Sequence, residues 1–294
     1  MKECYLYKKS GDYVDCSTCN HRCHISPFKR GICGVRENQK GKLYTLTYGR
    51  IIAENIDPIE KKPLYHFMPE TKTLSIASAG CNFRCSWCQN DDISQCTKKD
   101  VDRDEFTNIL GVEMEPEEIV EHALKSKTPS ISYTYTEPTI FLEFAIDTMK
   151  LAKKAGLKNI WVSNGYMTKE CLDLIAPYLD AINIDLKGFS EENYLKYSGA
   201  KLQPVLDNIK SIFNRGIHLE VTTLIIPSVN DDEKQLGEIA EFLSSISPNI
   251  PWHISRFFPA YKMTDTPITP IETLDLAESI GKKAGLKYIH IGNV

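Results

Sequence analysis

Ala79-Gly80-Cys81-Asn82-Phe83-Arg84-Cys85-Ser86-Trp87-Cys88-Gln89-Asn90 sets three cysteines in a Cys-x3-Cys-x2-Cys loop directly behind the β-branched, apolar run Thr73–Ser78. So short a loop can wrap three thiolates around three corners of a cubane [4Fe–4S] cluster, leaving one iron without a protein ligand. A small molecule can chelate that open iron through an amine and a carboxylate and accept an electron from it. Gly80 lets the backbone approach such a cluster closely. Phe83 and Trp87 can shield it from water, which tunes its potential. The competing reading of the loop is a zinc site lacking its fourth ligand. The pattern of the surrounding chain decides between them.

Downstream, short apolar runs at 73–78, 130–136, 159–163, 181–186, 218–226, 252–258 and near 287–291 alternate with amphipathic stretches at 116–126, 139–155, 168–178, 204–214, 231–246 and 271–284. Pro116 followed by Glu117 and Glu118 suits a helix first turn, where acids meet the positive end of the dipole. Leu151-Ala152-Lys153-Lys154-Ala155-Gly156 suits a helix end, with lysines in the last turn and glycine beyond it. Strands alternating with helices pair in parallel through right-handed crossovers. The expected fold is α/β, a partial (β/α)6 TIM-like barrel, with chemistry at the carboxyl ends of its strands. Residues 42–56 read as two short strands around Gly49. The expected division is a cysteine-rich module at 1–41, a β-hairpin and connector at 42–72, and the barrel at 73–294.

With the barrel pattern behind it, the three-cysteine loop resembles the signature of the radical S-adenosylmethionine (SAM) superfamily, in which an aromatic residue typically precedes the third cysteine, as Trp87 does here. Further stretches resemble the same family in order along the chain. Tyr135-Thr136-Glu137-Pro138 stands where the family has Gly-Gly-Glu-Pro, and the resemblance implies that Glu137 helps hold the methionine amino group of SAM. Ser163-Asn164-Gly165 is similar to a Thr-Asn-Gly turn of the activating enzymes for glycyl-radical enzymes and offers groups to a ribose or carboxylate. Asp185-Leu186-Lys187 resembles their Asp-Leu-Lys stretch; Asp185 and Lys187 alternate onto one strand face, suited to a ribose diol and its neighbouring carboxylate. His253 falls where a histidine of those enzymes approaches adenine. Together with Cys16-Ser17-Thr18-Cys19-Asn20-His21-Arg22-Cys23, Gly31–Arg36 and Asp57–Phe67, the chain looks like the AmmeMemoRadiSam-system radical SAM enzymes, relatives of pyruvate formate-lyase activating enzyme.

The chain has ten cysteines, and seven of them form two groups, Cys81/Cys85/Cys88 and Cys16/Cys19/Cys23/Cys33. Clustered thiols without an export signal read as metal ligands rather than disulfides. The N-terminal four suit tetrahedral zinc or an auxiliary iron–sulfur cluster equally. Cys4, Cys96 and Cys171 stand alone and read as packing residues. Thirty-five basic against 39 acidic residues, net −4, give no basic field that would favour nucleic acid. No apolar run approaches the roughly 20 residues of a membrane span, and Met1-Lys2-Glu3-Cys4-Tyr5 carries no signal core, so the expected location is the cytoplasm. The expected activity is reductive cleavage of SAM to methionine and a 5′-deoxyadenosyl radical that abstracts hydrogen. Its target could be a backbone glycine of a partner protein, a small molecule or a modified nucleotide, with a flavodoxin or ferredoxin as electron donor. The non-catalytic alternative is an iron–sulfur electron-transfer or metal-binding module.

Overall fold

The β-branched runs and amphipathic stretches of the sequence assemble into one eight-stranded sheet flanked by helices. The computed structural model describes residues 1–98 and 109–294. The strands are β1 (Ala53–Pro58), β2 (Lys72–Ala77), β3 (Ser130–Tyr133), β4 (Lys158–Ser163), β5 (Ala181–Asp185), β6 (His218–Ile225), β7 (Trp252–Arg256) and β8 (Ile289–Gly292). They lie side by side in chain order; β1 runs antiparallel to β2 and every other neighbouring pair is parallel. The intervening helices are α1 (Pro116–Lys125), α2 (Leu142–Lys154), α3 (Lys169–Ile175), α4 (Gln203–Asn214), α5 (Glu233–Ile246) and α6 (Ile271–Lys283). Among the described residues six βα units are therefore present, with β1 as an antiparallel edge and β8 as a final parallel strand. β1 and β8 are not paired with one another among the described residues.

Local sequence accounts for the elements. In α1, Pro116 occupies the first turn, and Glu115 and Glu118 form a reciprocal capping box. Its buried face, Ile119, Val120 and Ala123, packs inward. The central strands are covered on both sides, as parallel strands are, so Ala181-Ile182-Asn183-Ile184 is buried throughout. Registers such as Tyr133↔Trp161, Ser163↔Ile184 and Asp185↔Thr222 bring the carboxyl ends of β3 to β6 to a common rim. None of the described helices is long and apolar enough to cross a membrane.

Two expectations need correction. The run 130–136 is strand only to Tyr133; Tyr135 takes a left-handed conformation, φ 61°, which turns the chain out of the sheet. The hairpin expected within 42–72 is instead formed by Arg36–Gln39 and Lys42–Thr45, with Lys2–Glu3 as a third strand. It straddles the expected boundary at 41, because Gly41 at φ 84° supplies the turn. Gly80, φ 97°, makes room for the N-terminal segment: a Cβ there would stand 2.9 Å from Val35 and 3.1 Å from the Cys33 carbonyl.

A second small antiparallel sheet, Tyr7–Ser10, Tyr13–Cys16 and His24–Ile25, completes the N-terminal part. The N-terminal part docks on the barrel through Cys19 bridging Met167, through Asn20 Nδ2 donating to Met167 O (2.7 Å), and through a bidentate pair between Arg36 and Glu143.

Candidate active site at the carboxyl ends of the strands

A cleft of about 690 Å³ opens at the rim, and all nine residues expected for the barrel site line it: Cys81, Cys85, Cys88, Glu137, Ser163, Asn164, Asp185, Lys187 and His253. Phe83 and Trp87, 1% and 5% exposed, form part of its wall. Backbone bonds pin the cysteine loop: Arg84 N donates to Ser198 O and Ser86 N to Tyr197 O, each at 2.9 Å. These acceptors lie on a π-helical turn, Tyr194–Ser198, a feature frequent at functional sites. Cys88 Sγ sits 3.1 Å from Ser94 Oγ, and Phe83 N donates to Cys81 Sγ at 3.3 Å.

The donor set fits a cubane. No disulfide joins cysteines among the described residues. All three thiols of the short loop stand on the wall of the one cleft, as separate corners of a cubane would require. Asn82 Nδ2, beside Cys81, is a buried donor without a partner.

The two strand-end turns next to the cysteines are tied together by Glu137. Its Oε1 accepts from Ser163 Oγ (2.8 Å), Thr139 N (3.1 Å) and Thr139 Oγ1 (2.5 Å), and its Oε2 from Asn164 N (2.8 Å). Burial nevertheless pushes its carboxyl above the usual range. The carboxylate therefore caps the short helix Pro138–Phe141 and organises the Ser163–Asn164 turn. Asn164 Nδ2 in turn donates to Asn82 Oδ1 at 2.7 Å, joining the end of β4 to the cysteine loop. Tyr135 and Thr136 do not disturb this arrangement. Tyr135 adopts the positive φ that glycine favours, its hydroxyl bonds Asp57, and Thr136 Oγ1 donates to Ser78 O at 2.7 Å. Asp57 also holds the buried Lys62 at 2.7 Å.

Asp185 and Lys187 form an ion pair at 3.2 Å on the cleft wall. Burial opposes the Lys187 charge, but Asp185, Cys85 and Tyr194 together raise its pKa above the ordinary range. His253 is 5% exposed; its Nε2 lies 2.7 Å from Glu220 Oε2, and its ring packs against Tyr65 and His290.

Glu220 is the residue that the sequence reading missed: a buried carboxylate within the apolar run of β6. It also accepts from the backbone N–H groups of Tyr65 (3.0 Å) and His66 (2.8 Å), and so anchors the connector across the barrel interior. A charge at every-other-residue spacing on an inward strand face was the available signal. Burial would push this carboxyl up, yet bonds from His218, His253 and His66 N hold it at about 2. The stability it contributes is thus complete above its unfolded pKa near 4.5 and is lost as the pH falls towards 2. The shift corresponds to on the order of 3 kcal/mol. Urea unfolding at about pH 7 and about pH 3.5 should therefore show Glu220→Gln losing less stability on acidification than wild type. Equal acid losses would disprove this role.

A family model for the "Radical SAM superfamily" matches residues 75–243. An uncharacterized protein of Methanocaldococcus jannaschii is 45% identical over 296 residues, covering 100% of this chain and 86% of that protein. The pyruvate formate-lyase-activating enzyme of Clostridium pasteurianum is 22% identical over 173 residues, 57% of this chain and 67% of its own length. Among solved structures, a radical SAM methyltransferase from Sphaerobacter thermophilus shares the fold at a TM-score of 0.58 and 14% identity, over 78% of this chain and 68% of that one. The matched span runs from β2 and its cysteine loop into α5, and takes in most of the cleft's lining. The chain belongs to the radical SAM superfamily and is related to pyruvate formate-lyase activating enzyme.

Proposed function

We propose that this chain cleaves SAM reductively and directs the resulting radical at a hydrogen of a substrate, with a backbone glycine of a partner protein as the first candidate. The observation that carries this reading is the sharing of one cleft by three cysteines and the polar ends of β4, β5 and β7. A [4Fe–4S] cluster on Cys81, Cys85 and Cys88 would supply the electron that splits SAM into methionine and a 5′-deoxyadenosyl radical. The chain's own residues bind, orient and exclude water. Asp185 and Lys187 present an acid and a base to the ribose diol and the methionine carboxylate. Glu137 keeps the Ser163–Asn164 turn in place beside the cysteines, and His253 stands by the adenine. Phe83 and Trp87 keep water from the reacting centre. A flavodoxin or ferredoxin fits the role of electron donor. The activating-type target rests on the likeness to the Clostridium enzyme.

A second reading, a small polar substrate, draws on one feature of the cleft. Lys62, Tyr65, Tyr135 and His290 line it beyond the residues assigned to SAM, and the connector is anchored on Glu220 across the barrel interior. Such a lined, polar recess suits a small molecule.

Iron-loaded, dithionite-reduced protein kept free of oxygen should convert SAM to methionine and 5′-deoxyadenosine. Deuterated candidate proteins or small molecules should then pass label into the 5′-deoxyadenosine, and the donor that does so identifies the substrate class. A fully assembled cluster that neither binds nor cleaves SAM would overturn the proposal in favour of an electron-transfer module.

A further inference from the structure

Three segments meet over the outer face of the cysteine loop, and each presents cations to solvent. Arg84 is exposed within the loop itself. The π-helical turn that accepts the loop's backbone bonds carries Lys196, and Lys201 follows it; both are exposed. Lys262 is exposed too, and its backbone N–H donates to Ser86 O at 2.9 Å. The segments are in contact. A Cβ on Gly199 would stand 3.7 Å from Arg84 Cβ, and Ser86 Oγ donates to Tyr197 O at 3.4 Å.

Among the described residues none of these four cations is in an ion pair. Lys125, Lys169 and Lys282, by contrast, each meet a carboxylate four residues away on their own helices. Lys196 and Lys262 lie over the rings of Tyr197 and Tyr261, 4.8 and 5.2 Å from the centroids. Leu195, 50% exposed, adds an apolar contact point among them. Of the acids nearest in sequence, Glu191 is taken up by Leu202 N at 2.7 Å, and the exposed Glu192 and Asp265 offset the patch only in part. On a chain of net charge −4, such a local excess steers an acidic partner to this one place.

The position of the patch matters as much as its charge. The loop's inner side borders the cleft. A second side is covered by the N-terminal part, whose Cys16, Cys19, Cys23 and Cys33 line a small cavity of their own; there His21 Nε2 lies 2.9 Å from Asn82 O, and Val35 backs Gly80. The patch occupies the solvent side. Arg84 and Ser86 flank Cys85, whose Sγ lies 3.7 Å from Ser198 Oγ of the same turn. Tyr197 faces Trp87, with ring centroids 6.1 Å apart. An electron delivered at this surface arrives beside a thiol of the loop. We propose that Arg84, Lys196, Lys201 and Lys262 form the docking surface for an acidic one-electron donor protein. This rests on the SAM-cleaving reading for the need of an electron, and it adds where the donor binds.

The test compares a reduced, acidic flavodoxin with dithionite, which needs no docking surface. In iron-loaded protein, Lys196→Glu/Lys201→Glu/Lys262→Glu should weaken flavodoxin binding, measured by calorimetry, by about tenfold or more. Flavodoxin-driven 5′-deoxyadenosine formation below saturation should fall to the same extent. The dithionite-driven rate should stay within about twofold of wild type, as for surface substitutions remote from the chemistry. Added salt should weaken wild-type binding in parallel. Lys8→Glu/Lys9→Glu/Lys40→Glu makes the same charge change at exposed positions of the N-terminal hairpins, and it should bind flavodoxin at close to wild-type strength. If the first variant also loses its dithionite-driven rate, Lys196→Glu and Lys262→Glu singly decide, each weakening binding by about threefold. No binding to wild type, unchanged binding to the variants, or an equal loss in the Lys8/Lys9/Lys40 control overturns the proposal. A wild type that forms no 5′-deoxyadenosine with dithionite would instead overturn the SAM reading, while the binding comparison still decides the docking surface.

Discussion

Cys85→Ala should reduce 5′-deoxyadenosine formation to background. Cys85 is the middle thiol of the loop and the most deeply buried of the three, 8% exposed, near Ser198 Oγ at 3.7 Å. Replacing an outer partner of a metal ligand commonly costs 10–100-fold, so loss of a ligand itself should exceed about 100-fold. Cys171→Ala is the matched control. Cys171 is buried too, at 0% exposure, but it lies on α3 and not on the cleft wall, and its variant should cleave SAM at close to the wild-type rate. Chromatographic quantification of 5′-deoxyadenosine from dithionite-reduced protein measures both. Activity of Cys85→Ala within a few-fold of wild type would remove the basis of the mechanism.

The largest stability effect should come from Glu143→Ala. Glu143 sits in the first turn of α2 with no exposure, and it takes both terminal nitrogens of Arg36 at 3.0 and 2.7 Å. It also accepts from the backbone N–H of Tyr5 at 3.1 Å. Removing the carboxylate leaves a buried guanidinium uncompensated, which typically costs 3–5 kcal/mol, about the cost of breaking any buried pair from one side. The midpoint of urea unfolding should fall with little change in slope. Replacing both partners, Arg36→Met with Glu143→Leu, should recover much of the loss, because it abolishes the desolvated charges together. A loss under about 1 kcal/mol in Glu143→Ala would mean that this pair does not fasten the N-terminal part to the barrel.

The candidate site was legible to an unusual extent wherever chemistry depends on spacing along the chain. The three-cysteine loop, the Glu137 turn, the Ser163–Asn164 turn and the Asp185/Lys187 pair each follow a strand, and a parallel sheet in chain order carries all those strand ends to one rim. What escaped the sequence reading depends on contacts between distant segments. Glu137 was expected to serve a ligand, and its four internal bonds to Thr139, Ser163 and Asn164 became visible only with β3 and β4 side by side. Tyr135 stands where a glycine was expected, yet it keeps the turn because Asp57, 78 residues away in sequence, receives its hydroxyl.

The sequence by itself determined the alternation of strands and helices, the parallel order that follows from it, and the thiol loop behind the first parallel strand. Periodicity and ligand spacing are local properties, and a local pattern survives in one dimension. Only the tertiary structure decided that Glu220 anchors the connector, that Arg36 meets Glu143, and that Cys33 packs behind Gly80. Those choices depend on which buried polar groups come within about 3 Å of a partner, and burial and pairing are fixed by chain segments more than 30 residues apart.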